Sequence, residues 1–399
     1  MPVIDSLTQA GMGRIAGGAL IPRTLPGEEI DIATDDTIRI LRASPHRVTA
    51  PCRHYRTCGG CAMQHADDGF VAAWKIGIVQ KALEGQRIDA TIRGIVTSPP
   101  GTRRRAKLAG RRTKSGAMVG FHARASHTLV ATPDCRLLTP ALLALIPALE
   151  ALTIIAASRK SEVGLTVTDS RSGPDVVVET DRPLTEALRI DLARFARDHA
   201  LARLVWGDEI IVTMTPPSQR FGSAMVVPPP GAFLQATAHG EAALLAGVTE
   251  ICHDSSRIVD LFAGCGTFAL PLAARSEVHA VEAEGPMLEA LAKGWRGCAG
   301  LKRLTTETRD LFRRPLLPDE LNRYDTAVID PPRAGAEAQI AELARSAVRT
   351  IAMVSCNPVT FARDARKLVE AGFAADWVQV VDQFRWSPHV ELVSRFTRS

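Results

Sequence analysis

The chain has 399 residues, of which 46% are hydrophobic, and it carries a formal net charge of +5. This length usually exceeds a single hydrophobic core, so we expect two or three domains. Eight cysteines in so long a chain exclude a small disulfide scaffold. No secretory pattern stands at Met1 and no apolar run is long enough to span a bilayer. We therefore expect a cytoplasmic protein without membrane contact.

The pattern of elements changes along the chain. Residues 1–48 predict short strands broken by glycines and prolines, as in a small β-barrel. Helical periodicity follows over 70–83, and an α+β region is predicted from 92 to about 236. Within that region we predict strands near 129 and over 163–167, and helices over 141–154 and 184–199.

Four cysteines form a candidate metal site. Cys52, Cys58 and Cys61 have the spacing C-x5-C-x2-C, and Cys135 stands alone further along the chain. Four thiolates suit a metal ion or an iron–sulfur cluster. Because C-x2-C pairs are common to both kinds of site, the spacing alone leaves zinc and iron–sulfur open.

A basic run lies between the third and fourth of these cysteines. The segment Arg103–Lys114 has seven basic residues in twelve. Such a run is often a solvated face, but it also suits contact with the phosphates of a nucleic acid.

A candidate nucleotide-cofactor site begins near residue 257. A buried strand, Arg257–Phe262, runs into a turn that holds Gly264 and Gly266, and Glu282 ends the next strand sixteen residues after Gly266. Glycines let a ligand approach the backbone closely, and an acid at that place binds ribose hydroxyls. The third glycine of the dinucleotide fingerprint is missing, so we expect a nucleoside-type cofactor. Strands alternate with helices thereafter, which predicts a doubly wound parallel sheet.

Two further motifs follow buried strands and should lie at the same sheet edge. Asp330 precedes two prolines, and Cys356 precedes Asn357 and Pro358. A lone cysteine is usually a small buried hydrophobe. Here the Asn-Pro pair ends the strand abruptly, which favours a nucleophile at the ligand edge. Near the C-terminus, His389 and Glu391 offer partners for proton transfer, although such a pair is more often a solvated edge.

Together these motifs resemble one family. The segments Cys52–His65, Asp260–Phe262, Asp330–Arg333, Ser355–Pro358 and His389–Glu391 stand in the order found in the S-adenosylmethionine-dependent RNA 5-methyluridine methyltransferases. The chain resembles the branch of that family that carries a [4Fe–4S] cluster.

The resemblance implies an α/β fold with three parts. These are a shortened TRAM-type β segment over 1–48, a central α+β domain over 49–235 with the iron–sulfur loop and an RNA-binding surface, and a Rossmann-like class I methyltransferase domain over 236–399. It implies S-adenosylmethionine and a [4Fe–4S] cluster as cofactors. We interpret the cluster as structural, because no catalytic step needs an electron.

The resemblance also implies roles for individual residues. The cluster ligands are Cys52, Cys58, Cys61 and Cys135. The cofactor-binding residues are Gln235, Phe262, Thr267, Glu282, Asp310 and Asp330. Cys356 is the nucleophile that adds to carbon 6 of uracil, and Glu391 is the base that removes the proton from carbon 5. The segment Arg385–Pro388 departs from the proline–threonine stretch typical of the family.

The expected substrate is a single-stranded or loop uridine in large-subunit ribosomal RNA, and the expected state is a monomer. Cluster-bearing members of the family mostly act on this RNA, whereas the transfer-RNA branch mostly lacks the cysteines. Transfer RNA is the alternative substrate. A non-catalytic iron–sulfur RNA-binding protein or redox sensor is an alternative of a different class.

Overall fold

The computed structural model describes residues 1–33 and 37–398, and its N-terminal part is rich in β-structure. Its strands are β1 Ile4–Leu7, β2 Met12–Ile15, β3 Leu20–Pro22, β4 Glu29–Ile32 and β5 Ile38–Arg42. The first three form one sheet and the last two another, with a bridge between Val3 and Glu29. Ile4, Ile21 and Ile30 form a small buried core. The predicted N-terminal β segment is confirmed, although its described strands pair in two sheets.

Helix α1 (Asp68–Gly85) confirms the helix predicted over 70–83. It begins where the Asp67 carboxylate accepts a hydrogen bond from the amide of Phe70 at 2.7 Å. Its buried residues recur every four positions, and they include a lysine among aliphatic side chains: Val71, Lys75, Val79 and Leu83. Strand β6 (Thr91–Thr97) follows the helix.

A seven-stranded sheet forms the middle of the molecule, in the order β13-β12-β11-β10-β7-β8-β9. Its strands are β7 Arg105–Arg112, β8 Ala117–His122, β9 Leu129–Ala131, β10 Glu162–Ser170, β11 Gly173–Glu179, β12 Arg203–Trp206 and β13 Glu209–Thr213. Its helices are α2 Pro140–Ala144, α3 Ile146–Ala156 and α4 Glu186–Asp198. The helix predicted over 141–154 is divided at Leu145, because Pro147 in the first turn of α3 has no amide proton to continue α2. A short hairpin, β14 Gln219–Phe221 and β15 Ala224–Val226, follows.

The C-terminal part alternates strands with helices, as the sequence predicts. Its strands are β16 Arg257–Leu261, β17 Glu277–Glu282, β18 Leu304–Thr308, β19 Thr326–Ile329, β20 Thr350–Ser355, β21 Ala374–Asp382 and β22 Glu391–Thr397. Its helices are α5 Ala238–Ile251, α6 Ala269–Leu272, α7 Gly285–Arg296, α8 Pro318–Leu321, α9 Glu337–Arg345 and α10 Pro358–Glu370. Two clusters of buried apolar side chains include residues from these strands.

The C-terminal sheet has the order β18-β17-β16-β19-β20-β22-β21-β6. β16 to β20 pair in parallel, whereas β22 is antiparallel to both of its neighbours. β6 pairs in parallel with β21, so a strand from before the middle sheet completes this one. In the described part of the chain, no helix combines the length and apolarity that crossing a bilayer requires.

This topology sets one edge of the sheet apart. The order reverses beside β16, which lies between β17 and β19, and open sheets bind ligands at such a switch point. The carboxyl ends of the parallel strands meet there and the antiparallel β22 begins there. Phe262, Glu282, Asp330, Cys356 and Glu391 therefore stand along a single edge.

Candidate functional site

The turn after β16 has the close packing that its glycines permit. Gly266 has φ of +92°, and a β-carbon there would lie 2.7 Å from Cγ of Leu291, so a side chain is excluded. The amide of Gly264 donates to the Glu282 carboxylate at 3.0 Å. Thr267, which follows the turn, is half-buried. The turn and the acid predicted to hold a nucleoside are thus in direct contact.

Two aromatic side chains stand beside this turn. Phe262 adopts a left-handed backbone with φ of +63°, and its ring centroid lies 5.4 Å from that of Phe312. The Asp310 carboxylate accepts a hydrogen bond from the Phe312 amide at 2.9 Å and so fixes the turn that presents this ring. Phe312 is exposed and was not expected from the sequence. The two rings offer an apolar wall suited to a flat heterocycle.

Buried amides link the predicted cofactor residues to the predicted base. The Gln235 side chain donates to the Asp330 carboxylate at 3.4 Å and accepts from Gln383 at 2.5 Å. Gln383 in turn hydrogen-bonds to Glu391. The chain of contacts Asp330–Gln235–Gln383–Glu391 therefore crosses the ligand edge, and Gln383 is a member that sequence reasoning missed.

Cys356 and Glu391 lie next to each other at this edge. Ser355 and Leu392 are the last paired residues of β20 and β22, so Cys356 follows and Glu391 precedes that pair directly. Burial, reinforced by the charges of Glu391 and Asp330, raises the pKa of the Cys356 thiol to about 11, and Arg333 opposes that rise. Burial raises the pKa of Glu391 to about 8 and that of Asp330 to about 7. The site thus favours the protonated forms of Asp330, Glu391 and Cys356. A cationic ligand beside them would favour their charged forms.

His389 contacts a guanidinium. Its Nδ1 lies 2.9 Å from Nη2 of Arg333, so the ring accepts a hydrogen bond. Partial burial and the Arg333 charge lower the pKa of His389 to about 4. The backbone carbonyl of Arg333 also accepts from the Asn357 amide at 3.0 Å, which ties it to the Cys356 segment. His389 is therefore neutral near pH 7 and does not act as a cation there.

The four predicted cluster cysteines line one cavity of about 40 Å³, together with Tyr55, Phe121 and Leu137. Gly59 allows the loop to approach β8: its amide donates to the His122 carbonyl at 2.9 Å, and a β-carbon would lie 2.8 Å from that oxygen. His54 contacts Asp134 at 2.7 Å, beside Cys135. The protein's own contacts thus bring the remote fourth cysteine to the other three.

The electrostatics of this cavity disfavour free thiolates. Burial raises the pKa of Cys61 to about 12, and it also raises the pKa of Cys58 and Cys135. Across residues 1–33 and 37–398, no three His, Cys, Asp or Glu side chains converge closely enough to hold a single metal ion.

The predicted basic run is not a continuous exposed strip. Arg103 lines the cysteine cavity, and Arg104 bonds to Glu241 at 2.5 Å. Lys107 and Arg111 are exposed but paired with glutamates at 2.7 and 2.9 Å. Arg103 and Arg104 precede β7, whereas Lys107 and Arg111 lie within it. Phosphate contact stays a prediction for the exposed members.

The sheet order, the antiparallel β22 and the glycine turn beside Glu282 define a class I methyltransferase fold. A profile of the family described as tRNA (Uracil-5-)-methyltransferase matches residues 297–397. An uncharacterized RNA methyltransferase of Mesorhizobium japonicum is 44% identical, with 95% of this chain and 92% of that protein covered. The 23S rRNA (uracil(1939)-C(5))-methyltransferase RlmD of Ralstonia nicotianae is 32% identical, with 98% and 96% covered.

The fold has a solved counterpart. The tRNA (uracil-54, C5)-methyltransferase of Pyrococcus abyssi, in complex with S-adenosyl-L-homocysteine, matches with a TM-score of 0.77 at 21% identity, covering 100% of this chain and 99% of that one. The chain belongs to the family of S-adenosylmethionine-dependent RNA uracil-5-methyltransferases, and it is therefore an enzyme. The non-catalytic alternative does not hold.

The predicted role of Glu282 as the ribose acid can be tested by substitution. Glu282→Ala should weaken S-adenosylmethionine binding by about 1.5–3 kcal/mol, the range for hydrogen bonds to a charged group. Titration calorimetry measures this directly, with Glu284→Ala as the matched control two residues away. Wild-type affinity for Glu282→Ala with a loss for Glu284→Ala would transfer the role to Glu284.

Proposed function

We propose that the enzyme methylates carbon 5 of a uridine in large-subunit ribosomal RNA through a covalent adduct on Cys356. The observation that carries this proposal is the proximity of Cys356 to Glu391 and Asp330 at the ligand edge, where both carboxylates raise the pKa of the thiol. A nucleophile and a base beside each other suit an addition that must later be reversed.

The chemistry requires these residue types. Carbon 5 of uracil is a weak nucleophile, so the Cys356 thiolate first forms a bond to carbon 6 and the displaced π electrons make an enolate. When bound, S-adenosylmethionine supplies an electrophilic methyl group, which carbon 5 takes up. Glu391 then removes the proton from carbon 5, the double bond re-forms, and the thiolate leaves. The Arg333 charge opposes the rise in the pKa of Cys356, and Arg333 is our candidate for stabilising the thiolate.

The choice of large-subunit ribosomal RNA rests on two features. The Ralstonia relative named for 23S ribosomal RNA is 32% identical over nearly its whole length, whereas the transfer-RNA enzyme of known structure is 21% identical. The chain also has the four cysteines by which it resembles the cluster-bearing branch, whose members mostly act on this RNA. Because the target base must leave its stack to enter the pocket, a loop or single-stranded uridine is expected.

Nucleoside mapping tests this assignment. RNA from the source organism, with and without the gene, should differ by one or more 5-methyluridines in the large-subunit RNA. Restoring the wild-type gene should restore the modification, and restoring Cys356→Ala should not. Loss from transfer RNA with unchanged ribosomal RNA would instead assign the enzyme to transfer RNA.

We further propose that Cys52, Cys58, Cys61 and Cys135 hold a [4Fe–4S] cluster. Support comes from the one cavity that all four cysteines line, because four thiolates around a shared space are the ligand set of such a cluster. A bound metal would favour the thiolate forms of these buried thiols, since binding releases their protons. The cluster would cross-link the loop to the turn at Cys135, and no catalytic step passes through it.

Cys135→Ser provides the test of this second site. Anaerobically purified wild-type protein should contain about four irons per chain, and the variant should fall below about one, with a lower melting temperature. Iron and zinc analysis alongside thermal unfolding measures both effects. Stoichiometric zinc in the wild type would contradict the iron assignment, and activity that switched on reduction of an intact cluster would contradict the structural role.

Cellular location and oligomeric state stay predictions. A reducing cytoplasm suits buried free thiols and a ribosomal substrate. Size-exclusion chromatography with light scattering would test the expected monomer.

A further inference from the structure

We infer that Lys75 and Trp386 are positioning residues that hold the segment Asp382–Glu391, and with it the proposed base, in its working place. This inference rests on the proposed role of Glu391. The segment connects β21 to β22 and carries both His389 and Glu391. Two elements outside the C-terminal sheet contact this segment. They are α1 and the segment Cys52–Met63, which we call the cysteine loop.

Lys75 makes the first contact. Its ammonium is completely buried and donates to the Asp382 carboxylate at 2.6 Å, the Phe384 carbonyl at 3.2 Å and the His389 carbonyl at 3.0 Å. An ammonium has three protons, and each meets one acceptor. The carbonyls lie at both ends of the connection, so one side chain fixes its shape. The third acceptor lies only two residues before Glu391.

Trp386 makes the second contact. Its carbonyl accepts hydrogen bonds from the amides of Ala62 at 2.7 Å and Met63 at 3.0 Å, directly after Cys61. Its indole is buried against Tyr55 and Cys61. Its φ of +59° is a left-handed conformation that a bulky residue rarely adopts unless its surroundings impose it. The cysteine loop therefore imposes the turn of the base segment.

A third contact agrees with this picture. The Arg385 guanidinium donates to Asp68 in the first turn of α1 at 2.5 Å and to the Ser98 carbonyl at 3.3 Å. By contrast, Cys356 belongs to a connection that starts from β20, and none of these three contacts involves it. We call the contacts of Lys75, Trp386 and Arg385 the clamp. Weakening these contacts should displace Glu391 relative to Cys356 while leaving the nucleophile itself in place.

A positioning role makes a selective kinetic prediction. Proton removal from carbon 5 depends on the placement of Glu391, whereas formation of the methylated adduct depends on Cys356 and the cofactor. Lys75→Met should slow breakdown of the adduct by about tenfold to hundredfold, with adduct formation and S-adenosylmethionine affinity within about twofold of wild type. Single-turnover kinetics at saturating RNA, quenched into a denaturing gel, measures the two steps separately. Lys81→Met, an exposed lysine on the same helix, is the matched control.

A second variant separates positioning from stability. Lys75→Met leaves the Asp382 carboxylate buried and unpaired, which also destabilises the fold. In Lys75→Met/Asp382→Asn that charge is removed, so the melting temperature should recover. Breakdown should stay slow, because the Phe384 and His389 carbonyls still lack their donor. Recovery of the breakdown rate together with the melting temperature would show a merely structural role and overturn the inference.

Trp386 supplies an independent arm. Trp386→Gly keeps the left-handed backbone accessible but removes the indole, whereas Trp386→Phe keeps an aromatic ring against Tyr55. The glycine variant should slow adduct breakdown and the phenylalanine variant should restore most of it. A wild-type enzyme that forms no adduct would refute the proposed function itself. A normal adduct with wild-type breakdown in Lys75→Met and Trp386→Gly would refute the clamp alone.

Discussion

Cys356→Ala is expected to reduce methyl transfer by about 10⁴-fold or more while S-adenosylmethionine binds with nearly unchanged affinity. Without the thiolate no bond forms at carbon 6, and carbon 5 stays too poor a nucleophile to accept the methyl group. Transfer of labelled methyl groups to RNA measures the loss, and calorimetry measures cofactor affinity.

The control for this experiment is another cysteine. Cys298→Ala removes a half-buried thiol that contacts Ser223, away from the ligand edge, and should retain wild-type transfer. Substantial transfer by Cys356→Ala would contradict covalent catalysis at this residue.

Glu391→Gln should produce the second large effect, which lies in a different step. The methylated adduct should still form, but its breakdown should slow by about 10²–10⁴-fold because no carboxylate removes the proton from carbon 5. A denaturing gel should show protein joined to RNA. Full turnover without an accumulated adduct would remove Glu391 from the mechanism.

The raised pKa of Glu391 adds a pH signature. Since burial raises that pKa to about 8, the carboxylate that accepts the proton becomes abundant only as pH passes 8, and wild-type adduct breakdown should rise through that range. The same shift means that the folded protein holds this proton more tightly than the unfolded chain. Wild-type stability should therefore fall relative to Glu391→Gln between about pH 4.5 and 8, which unfolding at several pH values measures.

The sequence predicts those parts of the site that depend on neighbours along the chain. The turn at Gly264 and Gly266 needs glycine for local reasons, and Cys356 lies at the ligand edge because a buried strand ends just before it. The carboxyl ends of parallel strands meet at one edge of an open sheet, so these residues can be placed together before any side-chain contact is known. The N-terminal β segment and the alternating C-terminal elements are predictable for the same reason.

Contacts between distant segments leave no such pattern. The partners of Lys75 lie 307 and 314 residues further along the chain, and the lysine itself occupies a position that periodicity assigns to an aliphatic side chain. Gln383 likewise reaches Gln235 across 148 residues. The basic run gives a different kind of error, because it predicts exposed charges for phosphate contact. A count of charges does not show that Arg104 is already paired with Glu241.

The most direct test of the covalent mechanism uses RNA in which 5-fluorouridine replaces uridine. With fluorine at carbon 5 the base has no proton to remove there. The Cys356 thiolate therefore cannot leave once the methyl group has been transferred. After protease and nuclease digestion, mass spectrometry should find a methylated fluorouracil nucleotide on the peptide that contains Cys356, and no adduct with Cys356→Ala. Active enzyme that forms no adduct with this RNA would contradict the account, and so would an adduct on Cys265, the cysteine between Gly264 and Gly266, instead.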